Sequence, residues 1–335
     1  MATTVRGRGP LGSSAGRRRP PAAVRDCRHG GTIRSIAHRR SPPRQSADGG
    51  AGLAVGEVAR CAVPAPDGDL DRHQSNRRHE TNQRRDLAAI GLDWDGEVVR
   101  QSERFELYER AIAELSESGL AYECYCTRRE IREEIAAASQ APHGPPGAYP
   151  GTCRRLTDVE RARRRAEGRP PALRLRSDGR TIAFVDRVLG PQEGGVDDVV
   201  LRRNDGVPAY NLAVVIDDAA QEVSEVIRGD DLVASTPRQI RLQELLGLPR
   251  PEYAHVPLVV DAAGERLAKR AGVAVTLSDL DGRGVAAAGV VAWIASSLGT
   301  ERAGTTTLRE LAPRFDVAAI DRSPCLAPSW ALAPR

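Results

Sequence analysis

The stretch DGVPAYNLAVVIDDAAQEVSEVIRGDDLVASTPRQIRLQELLG, Asp205 to Gly247, decides how the rest of the chain is read. Its last third carries a full set of helix signals. Thr236 reads as the N-cap, Pro237 as the first helical residue, Gln239 as the partner closing a capping box, and Gly247 as the end of the helix. Its first residues, Asp205-Gly206, sit where a hairpin turn belongs. Between these lie two polar side chains, Tyr210 and Arg228, each flanked by an apolar run. On spacing alone both are ordinary boundary residues with their tips in water. For Arg228 there is a sharper alternative, a guanidinium pairing bidentately with a substrate carboxylate.

Working upstream, ALRLR (172–176) alternates, and TIAFVDRVLG (181–190) is rich in β-formers, which suggests a small β-containing insertion. Phe105, Tyr108, Ile112 and Leu115 recur at helical spacing before Gly119, so 102–118 reads as an amphipathic helix. Between these segments fall Cys124-x-Cys126 and, after a Gly/Pro-rich loop, Tyr149-x3-Cys153. Three thiols and a phenol within about thirty residues make a plausible tetrahedral set for one structural zinc ion, which prefers thiolate sulfur. On chemistry alone the fourth ligand stays open between His143 and Tyr149. Four protein ligands leave no open position for catalysis.

Downstream, RLAKR (266–270) follows the turn-forming VDAAGE and reads as a compact cationic loop after a strand. A charge run is usually a solvated face. Here, however, it holds Lys269, the one Lys among 49 basic residues. A GC-rich genome accounts for the general preference for Arg, so a lone Lys marks a place where Arg does not serve. A mobile ammonium suits phosphate charge developing in a transition state.

The 335 residues allow one large domain or two modest ones, and 40% apolar content is enough for a core. Residues 1–50 hold 11 Arg against 2 Asp, a surplus exceeding the +4 of the whole chain, so the remainder is net acidic. Residues 1 to about 68, rich in Arg, Pro, Gly and Ser, show no period of 3.6 or 2 and read as disordered. Six scattered Cys and no apolar signal segment point to a reducing, cytoplasmic location. No run approaches the roughly 20 apolar residues of a membrane span.

Taken together, DGVPAYNLAVVIDD, IRGDDLVASTPRQIRLQELLG and YAHVPLVVDAAGERLAKR resemble, in order and spacing, the catalytic core of the class I glutamyl-tRNA synthetase family, from about Asp69 to Leu277. The resemblance implies an α/β fold: a Rossmann-like catalytic domain over 69–280, with a zinc-bearing insertion at about 122–156. It also implies a short C-terminal helical region over 281–335 and no anticodon-binding domain. RLAKR resembles the family's KMSKS loop (Arg266, Leu267, Ala268, Lys269, Arg270), which puts Lys269 on its catalytic, ATP-binding lysine. Tyr210 and Arg228 fall where the family binds glutamate. A shortened branch of the family is the nearest likeness. Its zinc pattern, Cys-x-Cys then Tyr-x3-Cys, selects Cys124, Cys126, Tyr149 and Cys153. Moreover, only 65 residues follow Arg270, too few for an anticodon-binding domain. That branch implies activation of L-glutamate with ATP, with Mg2+ offsetting triphosphate charge, and transfer to the queuosine base of tRNA(Asp) by a monomer without membrane contact. Two alternatives stand beside it: a truncated glutamyl-tRNA synthetase charging tRNA(Glu), and a non-catalytic zinc protein binding RNA through its Arg-rich head.

The chain departs from the family at its start. Members open with a strand and phosphate loop like RFAPSPTGxLHxGN, holding the HIGH signature, and close that unit with RxEDLD. Here Gly68-Asp69-Leu70-Asp71 keeps DLD but puts Gly68 in place of the glutamate, and no HIGH signature is present. The genetic code offers a test. Permissible codons for residues 32–53, TIRSIAHRRSPPRQSADGGAGL, when read one base later, spell RFAPSPTADLHLGNLRTAVLAW. The outer bases of each shifted codon are largely dictated by the residues written, so 22 consecutive fits are hard to attribute to codon freedom. Asp67, Gly68 and Asp69 likewise yield Met-Glu in the shifted frame, just where DLD resumes. The expectation is that roughly the first 68 residues are an out-of-frame translation joined to an in-frame enzyme.

Overall fold

The computed structural model describes residues 77–92, 94, 98–137, 148–267, 276–300, 307–312 and 315–332. In chain order the helices are α1 (Arg77–Ala89), α2 (Phe105–Glu117), α3 (Arg128–Ala137), α4 (Asp158–Ala166), α5 (Tyr210–Ala220), α6 (Thr236–Leu245), α7 (Leu277–Asp281), α8 (Ala287–Ser297), α9 (Leu308–Leu311) and α10 (Ser329–Leu332). The strands are β1 (Ala121–Cys124), β2 (Ala172–Leu175), β3 (Thr181–Asp186), β4 (Gly190–Gly195), β5 (Val200–Arg202), β6 (Glu225–Gly229), β7 (Glu252–Val256), β8 (Val259–Val260) and β9 (Cys325–Leu326).

The apolar period of α2 buries Tyr108, Ile112 and Leu115, and Gly119 ends it at φ +70°, where the Leu120 N–H reaches the Leu115 carbonyl at 2.8 Å. Only glycine adopts that left-handed geometry without strain. The helix starts at Phe105, three residues later than its sequence suggests, because Gln101–Glu103 form a separate 3-10 turn. That turn serves a buried acid on α5. The Asp217 carboxylate accepts from Gln101 Nε2 (3.0 Å) and Tyr108 OH (2.7 Å), and pairs with Arg104 Nε at 2.8 Å. Leu212 to Ile216 of α5 are buried beside these groups, so a polar clasp and an apolar face hold α2 on α5 together.

Two sheets organise the middle of the chain. One is antiparallel, ordered β1-β2-β5; the other is mixed, ordered β4-β3-β7-β6, with β6 parallel to β7 across five residue pairs. TIAFVD alternates exposed and buried residues as a half-buried strand should. The sequence places it in a small insertion. Instead β3 hairpins with β4 and joins β7 at Asp186↔Tyr253, which carries it into the larger sheet. A short apolar run does not reveal its partner; the long-range pairing decides that. The turn at Asp205-Gly206 forms as expected, with Arg203 N–H on Val207 O at 2.8 Å. Its returning strand shrinks to a single bridge, Arg202↔Pro208, because Pro208 has no N–H to donate and α5 begins two residues later.

One apolar cluster joins Ile90, Ala254 and Val256 to Leu280, Val290, Val291, Ile294, Leu308 and Phe315, so α7, α8 and α9 pack on the β7 side. β9 returns to pair in parallel with β8. No described helix is long and apolar enough to cross a membrane.

Candidate active site

The larger sheet ends β6 and β7, two of its three parallel strands, side by side, and their register pairs Arg228 of β6 with His255 of β7. Asp186 terminates β3 beside them. The C-terminal ends of parallel strands are where open α/β sheets take ligands. All three side chains are buried: His255 at 0%, Asp186 at 2% and Arg228 at 9% exposure. Asp186 Oδ2 lies 2.6 Å from His255 Nδ1, and the carboxylate also accepts from the backbone N–H of Val188, Leu189 and His255. Burial works to raise the Asp186 pKa, but the hydrogen bonds from His255 and those three N–H groups outweigh it and hold the carboxyl below its ordinary value.

Arg228 is held by neutral acceptors. Its Nε lies 3.1 Å from His255 Nε2, and its Nη2 donates to Thr236 Oγ1 at 2.8 Å. The Tyr253 ring lies 5.5 Å below the guanidinium carbon, and burial pushes the Tyr253 pKa up to about 12, so this ring stays a neutral phenol. Among the described residues no carboxylate pairs with Arg228. The reading of its tip as water-exposed is thereby corrected: the apolar runs around it are the buried strand that encloses it.

Thr236 corrects a second expectation. It does not cap α6. The helix begins at Thr236 itself, Ser235 stands at the N-cap without a side-chain hydrogen bond, and Gln239 donates to Asn211 Oδ1 instead of closing a box. The hydroxyl is drawn away by the buried guanidinium, a stronger claim on it than a helix end that Pro237 already relieves of one N–H. Gly247 does follow the helix at φ +61°, with Leu248 N–H on Gln243 O. Tyr210 opens α5, half-buried, one residue before the Asn211 that α6 grips. Arg228 and Asn211, the neighbour of Tyr210, are thus both held by the first turn of α6.

The cationic loop begins next to the same segment. Arg266 Nη1 pairs with Asp231 at 2.6 Å, three residues beyond Arg228, and Leu267 is buried. Ala268, Lys269 and Arg270, the remainder of the expected catalytic loop, lie outside the described residues. Burial, with the neighbouring Asp231 charge, raises the pKa of Asp230 in the intervening turn.

Away from this site, β1 delivers Cys124 and its following loop delivers Cys126, while a 3-10 turn at Thr152–Arg155 delivers Cys153. Their three Sγ atoms lie within 4.8 Å of one another. Tyr149 OH sits 3.3 Å from Cys126 Sγ and accepts from the Cys153 N–H at 2.8 Å. Sulfurs each about 2.3 Å from a tetrahedral ion stand roughly 3.8 Å apart, so this donor set fits zinc in chemistry and in size. Hydrogen bonds from Cys126 and then Cys153 lower the Cys124 pKa, and the Arg174 guanidinium, 3.9 Å over the Tyr149 ring, adds to it. His143, the other candidate fourth ligand, lies outside the described residues.

Sequence reasoning missed Asp186, His255 and Thr236. A signal was present: Asp186 occupies an inward position of an alternating strand, and a charge there needs a buried partner.

Comparison with known proteins agrees with this architecture. Residues 61–312 match the family of class I tRNA synthetases (E and Q), catalytic domain. The fold and that match define the class: a ligase of the aminoacyl-tRNA synthetase type. The chain is 57% identical over 256 residues to the glutamyl-Q tRNA(Asp) synthetase of Nocardia farcinica, covering 76% of this chain and 79% of that protein. It is 49% identical to the one from Cutibacterium acnes, covering 74% and 69%. The chain belongs to the glutamyl-Q tRNA(Asp) synthetase family. Among solved structures, the glutamate-tRNA synthetase of Elizabethkingia anophelis superposes with a TM-score of 0.64 at 22% identity, over 78% of this chain. The chain spans 60% of that structure's length, and the likeness is one of fold.

Proposed function

We propose that the chain, with the reading frame of its first 68 residues restored, activates L-glutamate with ATP to form glutamyl-adenylate and passes the glutamyl group to the queuosine base of tRNA(Asp). The observation that carries this reading is Arg228: a nearly buried cation at the ends of parallel strands, held by neutral groups and without a carboxylate partner among the described residues. Such a charge favours an anionic ligand, and a substrate carboxylate matches its planar fork. Tyr210, next to the Asn211 that the same turn holds, lines the glutamate site.

In the activation step a glutamate carboxylate oxygen attacks the α-phosphorus of ATP and pyrophosphate leaves. Lys269, on the loop that Arg266 anchors through Asp231, meets the charge developing on the phosphates. Mg2+ bound with ATP supplies further neutralisation of the triphosphate. The adenylate's acyl carbon is then taken by the acceptor and AMP departs. Cys124, Cys126, Tyr149 and Cys153 hold one zinc ion that ties β1 to the turn at Thr152–Arg155, a structural role.

The acceptor follows the names of the relatives, which are glutamyl-Q tRNA(Asp) synthetases; others are glutamate–tRNA ligases. Charging assays with queuosine-bearing tRNA(Asp) and with tRNA(Glu) separate the two. Exclusive charging of tRNA(Glu) overturns the assignment to queuosine. The written residues 1–68 also lack the phosphate-contacting signature and put Gly68 where the family has glutamate. The chain as written is therefore expected to be inactive, because Lys269 alone does not replace preorganised phosphate contacts.

A further inference from the structure

Arg228 donates in two directions, and the structure has used one of them. A guanidinium presents a side-on fork, from Nε and Nη2, and an end-on fork, from Nη1 and Nη2. The side-on fork is occupied: Nε faces His255 Nε2 at 3.1 Å and Nη2 donates to Thr236 Oγ1 at 2.8 Å. Thr236 Oγ1 in turn lies 3.2 Å from His255 Nε2, closing a triangle of three buried side chains.

That triangle fixes the state of the imidazole. Arginine has donors only, so Nε2 must present a lone pair and the ring proton must sit on Nδ1. Nδ1 faces Asp186 Oδ2 at 2.6 Å, an oxygen that only accepts when ionised. Asp186 is itself pinned by three backbone N–H groups. The ring cannot turn over freely, since it has no exposed surface and stacks on Tyr253 at 6.2 Å and 14°. A ring carrying its proton on Nε2 would turn a donor toward the Arg228 donors.

We propose that Asp186 and His255, with Thr236, are positioning residues that hold the side-on fork of Arg228 and thereby present its end-on fork, in one orientation, to the substrate carboxylate. The inference rests on the reading of Arg228 as the glutamate-binding arginine.

The test uses the full chain, labelled with 15N, and its Asp186→Asn, His255→Leu, His255→Gln and Arg228→Gln variants. Ring nitrogen shifts report the tautomer, scalar coupling across the N–H···N contact reports the Arg228–His255 bond, and L-glutamate is titrated as the probe. The expected result is a neutral Nδ1–H ring with coupling to Arg228 Nε, lost in Asp186→Asn. Glutamate affinity should fall about tenfold or more in Asp186→Asn and His255→Leu, the scale of a lost hydrogen bond to a charged group. It should recover in part in His255→Gln, whose amide oxygen reaches the Nε2 position. A merely structural histidine would not separate Gln from Leu in affinity when both variants are folded. A protonated or Nε2–H ring in the parent overturns the proposal. So does unchanged affinity in both Asp186→Asn and His255→Leu when Arg228→Gln abolishes binding. Glutamate binding unaffected by Arg228→Gln instead overturns the glutamate reading of Arg228, and the spectra still decide the orientation.

Discussion

Asp186 is the residue on which the buried network turns. A folded-state pKa below the unfolded one makes its ionised form a source of stability that is complete above the unfolded value of about 4 and is lost as pH falls through the folded value. Asp186→Asn is therefore expected to lower stability near neutral pH, and its deficit against the parent should shrink below about pH 4, where the parent carboxylate also gains a proton. Urea unfolding at several pH values measures this, and a deficit constant across the range would contradict it. Gly229, next to Arg228, is constrained by space. A Cβ there would meet Asp231 Oδ1 at 2.7 Å and Leu258 Cδ2 at 2.9 Å. Gly229→Ala should cost about 1–3 kcal/mol through overpacking and displace Asp231 from Arg266. A melting curve matching the parent would show that the turn yields more easily than this geometry implies.

Among the elements, α6 and β3 show where local rules give way. Pro237 and Gly247 did mark the ends of α6, since their backbone preferences act within a few residues. The Thr236 hydroxyl did not cap the helix, because a buried guanidinium from another strand competes for it. Likewise TIAFVD announced a strand and its inward face, yet not that its last inward residue would be an ionised acid under a histidine. Conflicts between local pattern and structure tend to sit at functional sites, and both of these fall at the candidate site. The cysteine-bearing element makes its own prediction. Purified protein should carry about one equivalent of zinc, and Cys126→Ser and Tyr149→Phe should each reduce it, since a structural site needs four donors. Metal analysis decides the matter, and undiminished zinc in both variants would remove Tyr149 and Cys126 from the ligand set.

For the whole molecule, the decisive question is the first 68 residues. If they are an out-of-frame translation, the gene's codons across positions 25–75 must be able to yield RFAPSPTADLHLGNLRTAVLAW and the Met-Glu preceding DLD. Codons that cannot would sink the idea. The written chain should show no glutamate-dependent exchange of pyrophosphate into ATP, and a chain with that frame restored should show it. Normal exchange by the written chain would refute the claim that the missing signature is essential.

The sequence by itself determined the family, the cysteine set and the position of Arg228, because motif order, ligand spacing and residue type are properties of the chain and survive without coordinates. It also carried the frame test, which depends on the code rather than on any fold. Tertiary structure decided what those residues face. It made β3 a partner of β7 and buried Arg228 among neutral acceptors. It also set Asp186, His255 and Thr236, drawn from three elements, within hydrogen-bonding distance of one another or of Arg228. Such contacts join residues up to 69 positions apart, and no local propensity encodes them. They follow from strand pairing and from the cost of leaving a buried charge without hydrogen bonds.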